Sequence, residues 1–347
     1  MPKSSMESKV KGMFYGIAIG DALGAPVESF GHNQISDLHG RIEGYVKPKN
    51  HKYFKDGKTG FTTDDTGLTL NIARSLLEVK DFKMESMVKW HIHSLNTEVG
   101  FGGTTRRAIE KLKQGVHWSE TAEHDPKNGV GVGNGIAMKV APIAAWYLIA
   151  NEKSDPHSKI AELSAMTHFT DMAVISGVVH FDMIQHCLSI TDSCLFNKRY
   201  FCDDIITALQ NAGLAVNKYN SLSGLKLKQT EDRIGNQLQK LYRVADCKKS
   251  EIWNDDTIRL SFGDGKCYVY TSLPFSYAFF LRNPHSIETL FDVVNAGGDT
   301  DTNASLVGGL MGALHGHKFF PENLVNGLQN LDLIDNIVDL FLDEFLV

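Results

Sequence analysis

Cysteine is scarce in this chain of 347 residues. The five present (Cys187, Cys194, Cys202, Cys247 and Cys267) are an odd number without a C-x-x-C pair. That argues against a disulfide framework and fits reduced thiols in a cytoplasm. No basic stretch stands out against a formal net charge of -6, so nucleic acid is not an expected partner. No apolar run approaches the length of a membrane span, and the stretch from Pro2 to Lys11 is polar, without a signal-peptide core. The expectation is a soluble, cytoplasmic protein with no membrane partner. The glycine loop at 129–135 has neither the G-x-G-x-x-G spacing nor a G-K-[ST], and no strand pattern precedes it, which argues against a Rossmann or Walker site there. Strand-like alternation is equally rare. It appears clearly only at 257–262 and 266–271, on either side of Gly263-Asp264-Gly265, and there it predicts one minor β-hairpin.

What is present is helical periodicity, with 42% hydrophobic residues to build a sizeable core. The first clear helix runs from Met13 to Pro26, and its glycines Gly16, Gly20 and Gly24 recur every fourth residue on one face. A second helix can pack closely against that face. Further helical stretches are expected at 68–77, 84–95, 108–112, 136–141, 160–166, 175–189, 204–216, 233–244, 277–281 and 287–294, with a long amphipathic tail at 324–346. Polar loops are expected at 31–61, 217–232 and 246–256. No composition break divides the chain, so residues 10–347 read as one domain preceded by a flexible arm at 1–9.

Two acidic clusters stand at helix starts. Gly297-Gly298-Asp299-Thr300-Asp301-Thr302 precedes the small, apolar run from Ala304 to Leu314, and Thr62-Thr63-Asp64-Asp65-Thr66 opens the run from Leu68 to Leu77. A helix cap needs one oxygen. Each cluster offers two carboxylates and neighbouring hydroxyls, more than capping requires. If the two helix starts converge, carboxylates that close demand protonation or a cation. The donors are oxygen only, which suits Mg²⁺, Mn²⁺ or Ca²⁺ over zinc, and a pair of hard cations is the natural reading. Thr63, Asp64, Asp65, Asp299, Asp301 and Thr302 are the candidate ligands.

Together with Gly20-Asp21-Ala22-Leu23-Gly24-Ala25-Pro26-Val27-Glu28, these clusters resemble the motifs of the ADP-ribosylglycohydrolase family, in family order and over nearly the whole chain. The resemblance implies an all-α fold: an orthogonal multi-helix bundle with a dinuclear metal cleft, to which the hairpin would be a minor addition. It implies a hydrolase that removes ADP-ribose from modified protein side chains, arginine before serine, using two Mg²⁺ or Mn²⁺. It implies that Glu28 activates the attacking water, with Asp64 or Asp301 sharing that role. Gly131, Gly133, Asn134 and Gly135 form a glycine loop whose N–H groups can cradle a diphosphate. The family places the Gly-Asn-Gly part of it against the ADP-ribose phosphates. The turn at Gly102 and Thr104 opens another helix, with Arg106 and Arg107 as anion partners. By the resemblance, His168 lies near the phosphates or ribose. Relatives of the nitrogenase-regulating branch carry an acid where this chain has Gly100. That departure, with the polar arm, motivates an alternative: an antidote that binds and occludes an ADP-ribosyltransferase toxin. A dinuclear phosphohydrolase acting on nucleotides is a third reading.

Overall fold

The computed structural model describes residues 2–49, 58–247 and 250–346. Its long elements are helices: α1 (Lys3–Gly24), α2 (His32–His39), α3 (Asp64–Val79), α4 (Met84–Ser94), α5 (Gly103–Lys113), α6 (Ala141–Ile149), α7 (Pro156–Thr167), α8 (Asp171–Ser189) and α9 (Lys198–Ser223). Then follow α10 (Ile234–Gln239), α11 (Leu241–Ala245), α12 (Asp255–Phe262), α13 (Val269–Arg282), α14 (Glu288–Asn295), α15 (Thr300–His315), α16 (Glu322–Val325) and α17 (Leu331–Phe345). Among the described residues no strand ladder forms, only isolated bridges. The all-α expectation holds.

Local chemistry sets many of the helix starts. Asp155 accepts from the N–H groups of His157 and Ser158, with Pro156 in the first turn of α7. Thr170 caps α8 through Ala173 N–H, and Asn197 caps α9 through Arg199 and Tyr200 N–H.

The centre of the molecule is α1 against α15, running antiparallel. Both are buried along most of their length, and α15 is covered from Thr300 to Leu314. A helix buried all round carries apolar or small residues on every face. The glycine face of α1 meets Ala304, Gly308 and Gly312 of α15, main chain on main chain. A Cβ on Gly16 would lie 1.9 Å from the Gly308 carbonyl oxygen, and one on Gly312 would lie 1.9 Å from that of Gly12. Near the other end of α1, a Cβ on Gly24 would lie 2.3 Å from the amide nitrogen of Asp301. The seam therefore carries the last turns of α1 to the first turn of α15. Helices α8, α13 and α14 pack around α15, while α3 packs between α4, α6 and α17.

Several expectations differ from the structure. The β-hairpin is absent: 257–262 belongs to α12, and 269–271 opens α13. Ile258 and Phe262 lie four residues apart on one buried helix face, while Leu260 is 89% exposed. Apolar residues at 258, 260 and 262 satisfy a period of two as readily as one helical turn. The local signal that decides for helix is Asn254, whose side chain accepts from Thr257 N–H. The stretch 1–9 is helical from Lys3 rather than an arm, and Lys9 is buried with its ammonium on the carbonyls of Cys187 and Ile190. Helix α2 interrupts 31–61, whose part 50–57 lies outside the described residues, as do 248 and 249 of 246–256. Helix α9 continues through 217–223, where loop was expected, and the tail is divided between α16 and α17.

The seam gives a direct test. Gly16→Val should lower the free energy of unfolding by about 3 kcal/mol or more, because rigid backbone faces the new side chain. Gly213→Ala, in the interior of α9 with nothing within 4 Å of the added Cβ, should raise it by about 0.5–1 kcal/mol. Denaturant unfolding of both variants checks the contrast.

Candidate metal centre and substrate cleft

The two acidic clusters meet. Thr302 Oγ1 donates to Asp65 Oδ2 at 3.2 Å across a sequence separation of 237 residues. Carboxylate oxygens of Glu28, Asp299 and Asp301 lie within 4.8 Å of one another. The first turns of α3 and α15 both contribute, so two helix N-termini face the same acids and favour their charge.

Capping accounts for little of this. Thr63 is the N-cap of α3, its hydroxyl accepting weakly from Asp65 N–H at 3.4 Å, and Asp299 at the start of α15 makes no side-chain cap bond. Asp65 Oδ1 is buried with no hydrogen-bond partner among the described residues. A buried carboxylate oxygen without a donor is costly, and a cation is the natural partner for it. The oxygen-only donor set and this orphaned atom fit a hard divalent ion.

The backbone around Asp299 explains the two glycines before it. Gly297 and Gly298 have φ of +83° and +92°, a region in which a side chain is strained. Each also touches foreign main chain: Gly298 N–H donates to Phe30 O, and Ser29 N–H donates to Gly298 O. That exchange ties the segment carrying Glu28 beside Asp299. On the other side Asp299 N–H donates to Gly265 O, so the turn once expected to close a hairpin instead supports the acidic cluster. Asn134 Nδ2 donates to Asp299 Oδ2 at 2.6 Å.

Crowding and burial show in the acids. Burial raises Asp64, Asp65 and Asp301 well above the ordinary carboxylate range, and neighbouring acids raise them further. Asp299 is raised by burial and eased by bonds from Asn134 and its helix neighbours.

A cavity of about 380 Å³ opens over the cluster. Glu28, Asp64, Asp65, Asp299, Asp301 and Thr302 line it, as do Gly102, Thr104, Gly133, Asn134, Gly135 and His168. Three expected residues do not: Thr63, Gly131 and Arg106. Thr63 lies beneath the wall, wholly buried, and Gly131 turns its carbonyl to Thr170 Oγ1 at 2.5 Å. Arg107, anticipated as an anion partner, reaches the wall, paired with Glu123. His168 is buried under the glycine loop, Nδ1 on Thr167 Oγ1, and burial pushes it down to about 3, so it stays neutral.

Gly100 has φ of +98°, and a Cβ there would lie 2.8 Å from Asp64 Oδ1. A side chain at this position would be strained by the left-handed backbone and would have to push the Asp64 carboxylate aside. Two further residues of the centre carried no expected role. Asp21 is wholly buried and bonded to the start of α3, with burial pushing it up to about 6. Lys139 is wholly buried, its ammonium without a hydrogen-bond partner among the described residues. Burial pushes it down to about 7, against the pull of Asp64. In both cases the readable signal is a charge inside an apolar helical run.

The fold and cleft define an all-helical protein built round a crowded carboxylate centre. The chain belongs to the ADP-ribosylglycohydrolase family, whose model matches residues 2–346. It is 23% identical over 346 residues to the mouse ADP-ribosylhydrolase ARH3, covering 94% of this chain and 89% of that protein. It is 25% identical over 339 residues to the ADP-ribosyl-[dinitrogen reductase] glycohydrolase of Rhodospirillum rubrum, covering 94% and 92%. A solved structure described as an ADP-ribosylglycohydrolase-related protein complex superposes with a TM-score of 0.66 at 21% identity, over 98% of this chain and 99% of that one, and shares the fold. The family is one of glycohydrolases acting on ADP-ribosylated proteins and is generally metal-dependent.

The raised acids set a sign. A carboxyl whose folded pKa exceeds its unfolded value contributes stability at low pH that is lost as pH rises through the folded value. Metal-free protein should therefore lose this contribution above about pH 4, while a cation competes better as protons leave. The thermal stabilisation given by millimolar Mg²⁺ or Mn²⁺ should grow between about pH 5 and pH 8. Melting points indifferent to both cations throughout that range would remove the cluster as a cation site.

Proposed function

We propose that the chain, acting as a single domain, is a divalent-cation-dependent hydrolase that frees ADP-ribose from modified protein side chains, with arginine as the acceptor. The observation that carries this reading is the contact between Thr302 and Asp65, which joins two acid-rich helix starts at the floor of one cavity.

Thr63, Asp64 and Asp65 from one start, and Asp299, Asp301 and Thr302 from the other, would hold two Mg²⁺ or Mn²⁺. When bound, such ions neutralise the crowded acids and polarise the oxygens they touch. The rest falls to the chain's own groups. Cleavage of a glycosidic bond at ribose passes through a cationic, oxocarbenium-like state, which the surrounding carboxylates stabilise. Glu28 takes the proton of the attacking water, with Asp64 or Asp301 able to share that task. The role falls to Glu28 because position 100 is a glycine and offers no carboxylate. The N–H groups of Gly133 and Gly135, on either side of an Asn134 N–H already given to Cys267 O, and the start of α5 at Gly102 and Thr104, receive the diphosphate. His168, being neutral, adds contact and hydrogen bonding without charge. A guanidinium acceptor suits a wall richer in acids than bases, where Arg107 is already paired.

The occluding antidote needed a free arm at 1–9. That stretch is helical from Lys3 and tied down at Lys9, so of the two motives for that reading only the glycine at position 100 is left.

The test is incubation with Mg²⁺ and proteins carrying ADP-ribose on defined arginine or serine residues, followed by assay of free ADP-ribose. Release from arginine supports the full reading, release from serine alone moves the acceptor, and AMP as product would sink the glycohydrolase. Asp301→Ala should abolish turnover while the helical fold remains. Glu28→Gln should lower turnover by about 10²- to 10⁴-fold, the usual worth of a general base, with a smaller effect on cation affinity. An equal loss of affinity would make Glu28 a ligand, as its place beside Asp299 and Asp301 also allows.

A further inference from the structure

Asp21 sits near the end of α1, wholly buried, yet it touches the start of α3 with both carboxylate oxygens. Its Oδ2 accepts from Thr63 N–H at 2.9 Å, from Thr66 N–H at 3.1 Å and from Thr66 Oγ1–H at 2.6 Å. Its Oδ1 accepts from Thr63 Oγ1–H at 2.9 Å. A carboxylate on another helix thus satisfies the first turn of α3 more fully than that helix's own N-cap does, and leaves Asp64 and Asp65 out of the capping.

The last of these bonds settles a direction. A hydroxyl has one proton and two lone pairs. Thr63 stands among carboxylates, and with its proton unclaimed it would donate to whichever acid lay nearest. A hydroxyl that donates into the acids competes with a cation for them, whereas one that presents lone pairs joins the cation's ligands. With the Thr63 proton bound to Asp21, and one lone pair facing Asp65 N–H, the other lone pair is left for the cluster.

We propose that Asp21 is a positioning residue that fixes the Thr63 hydroxyl as an acceptor toward the bound cation. It is not itself a ligand, since its oxygens are already filled by four donors from α3. The inference rests on the cation reading given above and adds to it a residue outside the ligand set.

The informative substitution is Asp21→Asn. The amide oxygen can keep the three donors at the Oδ2 position. That puts the NH₂ group against Thr63 Oγ1, where it must donate, and so turns the hydroxyl proton toward the cluster. The shape of the site is kept and only the direction of one bond is reversed. Titration calorimetry with Mg²⁺ and with Mn²⁺ should show an affinity about 10- to 100-fold weaker than wild type, the range for losing a group that orients a ligand. The melting temperature without metal should not fall, since one buried charge has been removed from a crowded cluster. Thr63→Val should lower affinity by a similar factor, and adding Asp21→Asn to it should change affinity no further. Thr63→Val leaves Asp21 in place, so it reads the same hydroxyl even if Asp21→Asn fails to fold.

Three results would overturn the assignment. The first is wild-type affinity in Asp21→Asn. The second is an equal further loss when Asp21→Asn is added to Thr63→Val, which would mean that Asp21 acts only through its charge. The third is an unchanged affinity in Thr63→Val. If wild-type protein takes up neither cation, the cation reading falls and this one with it. If wild type binds but Asp21→Asn binds as well, only the role of Asp21 is lost.

Discussion

Contact between the main chains of α1 and α15 is the constraint on which the rest of the structure depends. Side chains in an ordinary helix pair can adjust by rotamer. Here Gly12, Gly16, Gly20 and Gly24 lie directly on Ala304, Gly308 and Gly312 and on the first turn of α15, so the relative height of the two helices is fixed by backbone alone. That height sets Asp21, on α1, against the start of α3. It also sets the segment after α1, with Glu28, against the glycine pair before Asp299. The acids converge because a seam without side chains leaves them no other register.

Burying so many carboxylates opposes folding, and the surroundings offset this in several ways. Two helix N-termini point at the cluster. Four donors converge on Asp21, Asn134 holds Asp299, and Lys139 adds a buried cation on the side of Asp64. Even so, Asp65 keeps an oxygen without a donor and the acids stay raised. Buried polar atoms without a partner also occur elsewhere, Ser75 Oγ and Tyr219 OH among them, but among the described residues Asp65 supplies the one such carboxyl oxygen, and departures of that kind concentrate where function lies.

The helical class, the two acid-rich helix starts and the glycine face of α1 were all legible, because each is a pattern within about twenty residues. Thr63 was legible as a candidate too, through its place beside Asp64 and Asp65. What α1 packs on was not, since Gly308 and Gly312 stand at the far end of the chain and glycine spacing does not name its partner. Asp21 shows the same limit. An acid between Gly20 and Ala22 in an apolar helix is visibly odd, but its bonds to Thr63 and Thr66 exist only after α1 and α3 are brought together. The misread hairpin failed for a local reason, since six residues are too few to separate a period of two from one of 3.6. Gly100 lay between these cases. Its difference from relatives was readable, but its cause, a left-handed backbone pressed against Asp64, was not.

The placement of Asp65 and Thr302, bonded across 237 residues, also bears on when the centre can exist. During synthesis the α3 half emerges early, with its acids and no counterpart, and it must wait for α15 before the pocket closes. Joining such distant segments carries a loop-closure cost that local helices do not. A ribosome-bound chain ending before α15 would hold half a centre, and so would any fragment cut between the two. The paired acidic centre is thus a property of a chain folded through α15, and no shorter N-terminal piece contains it.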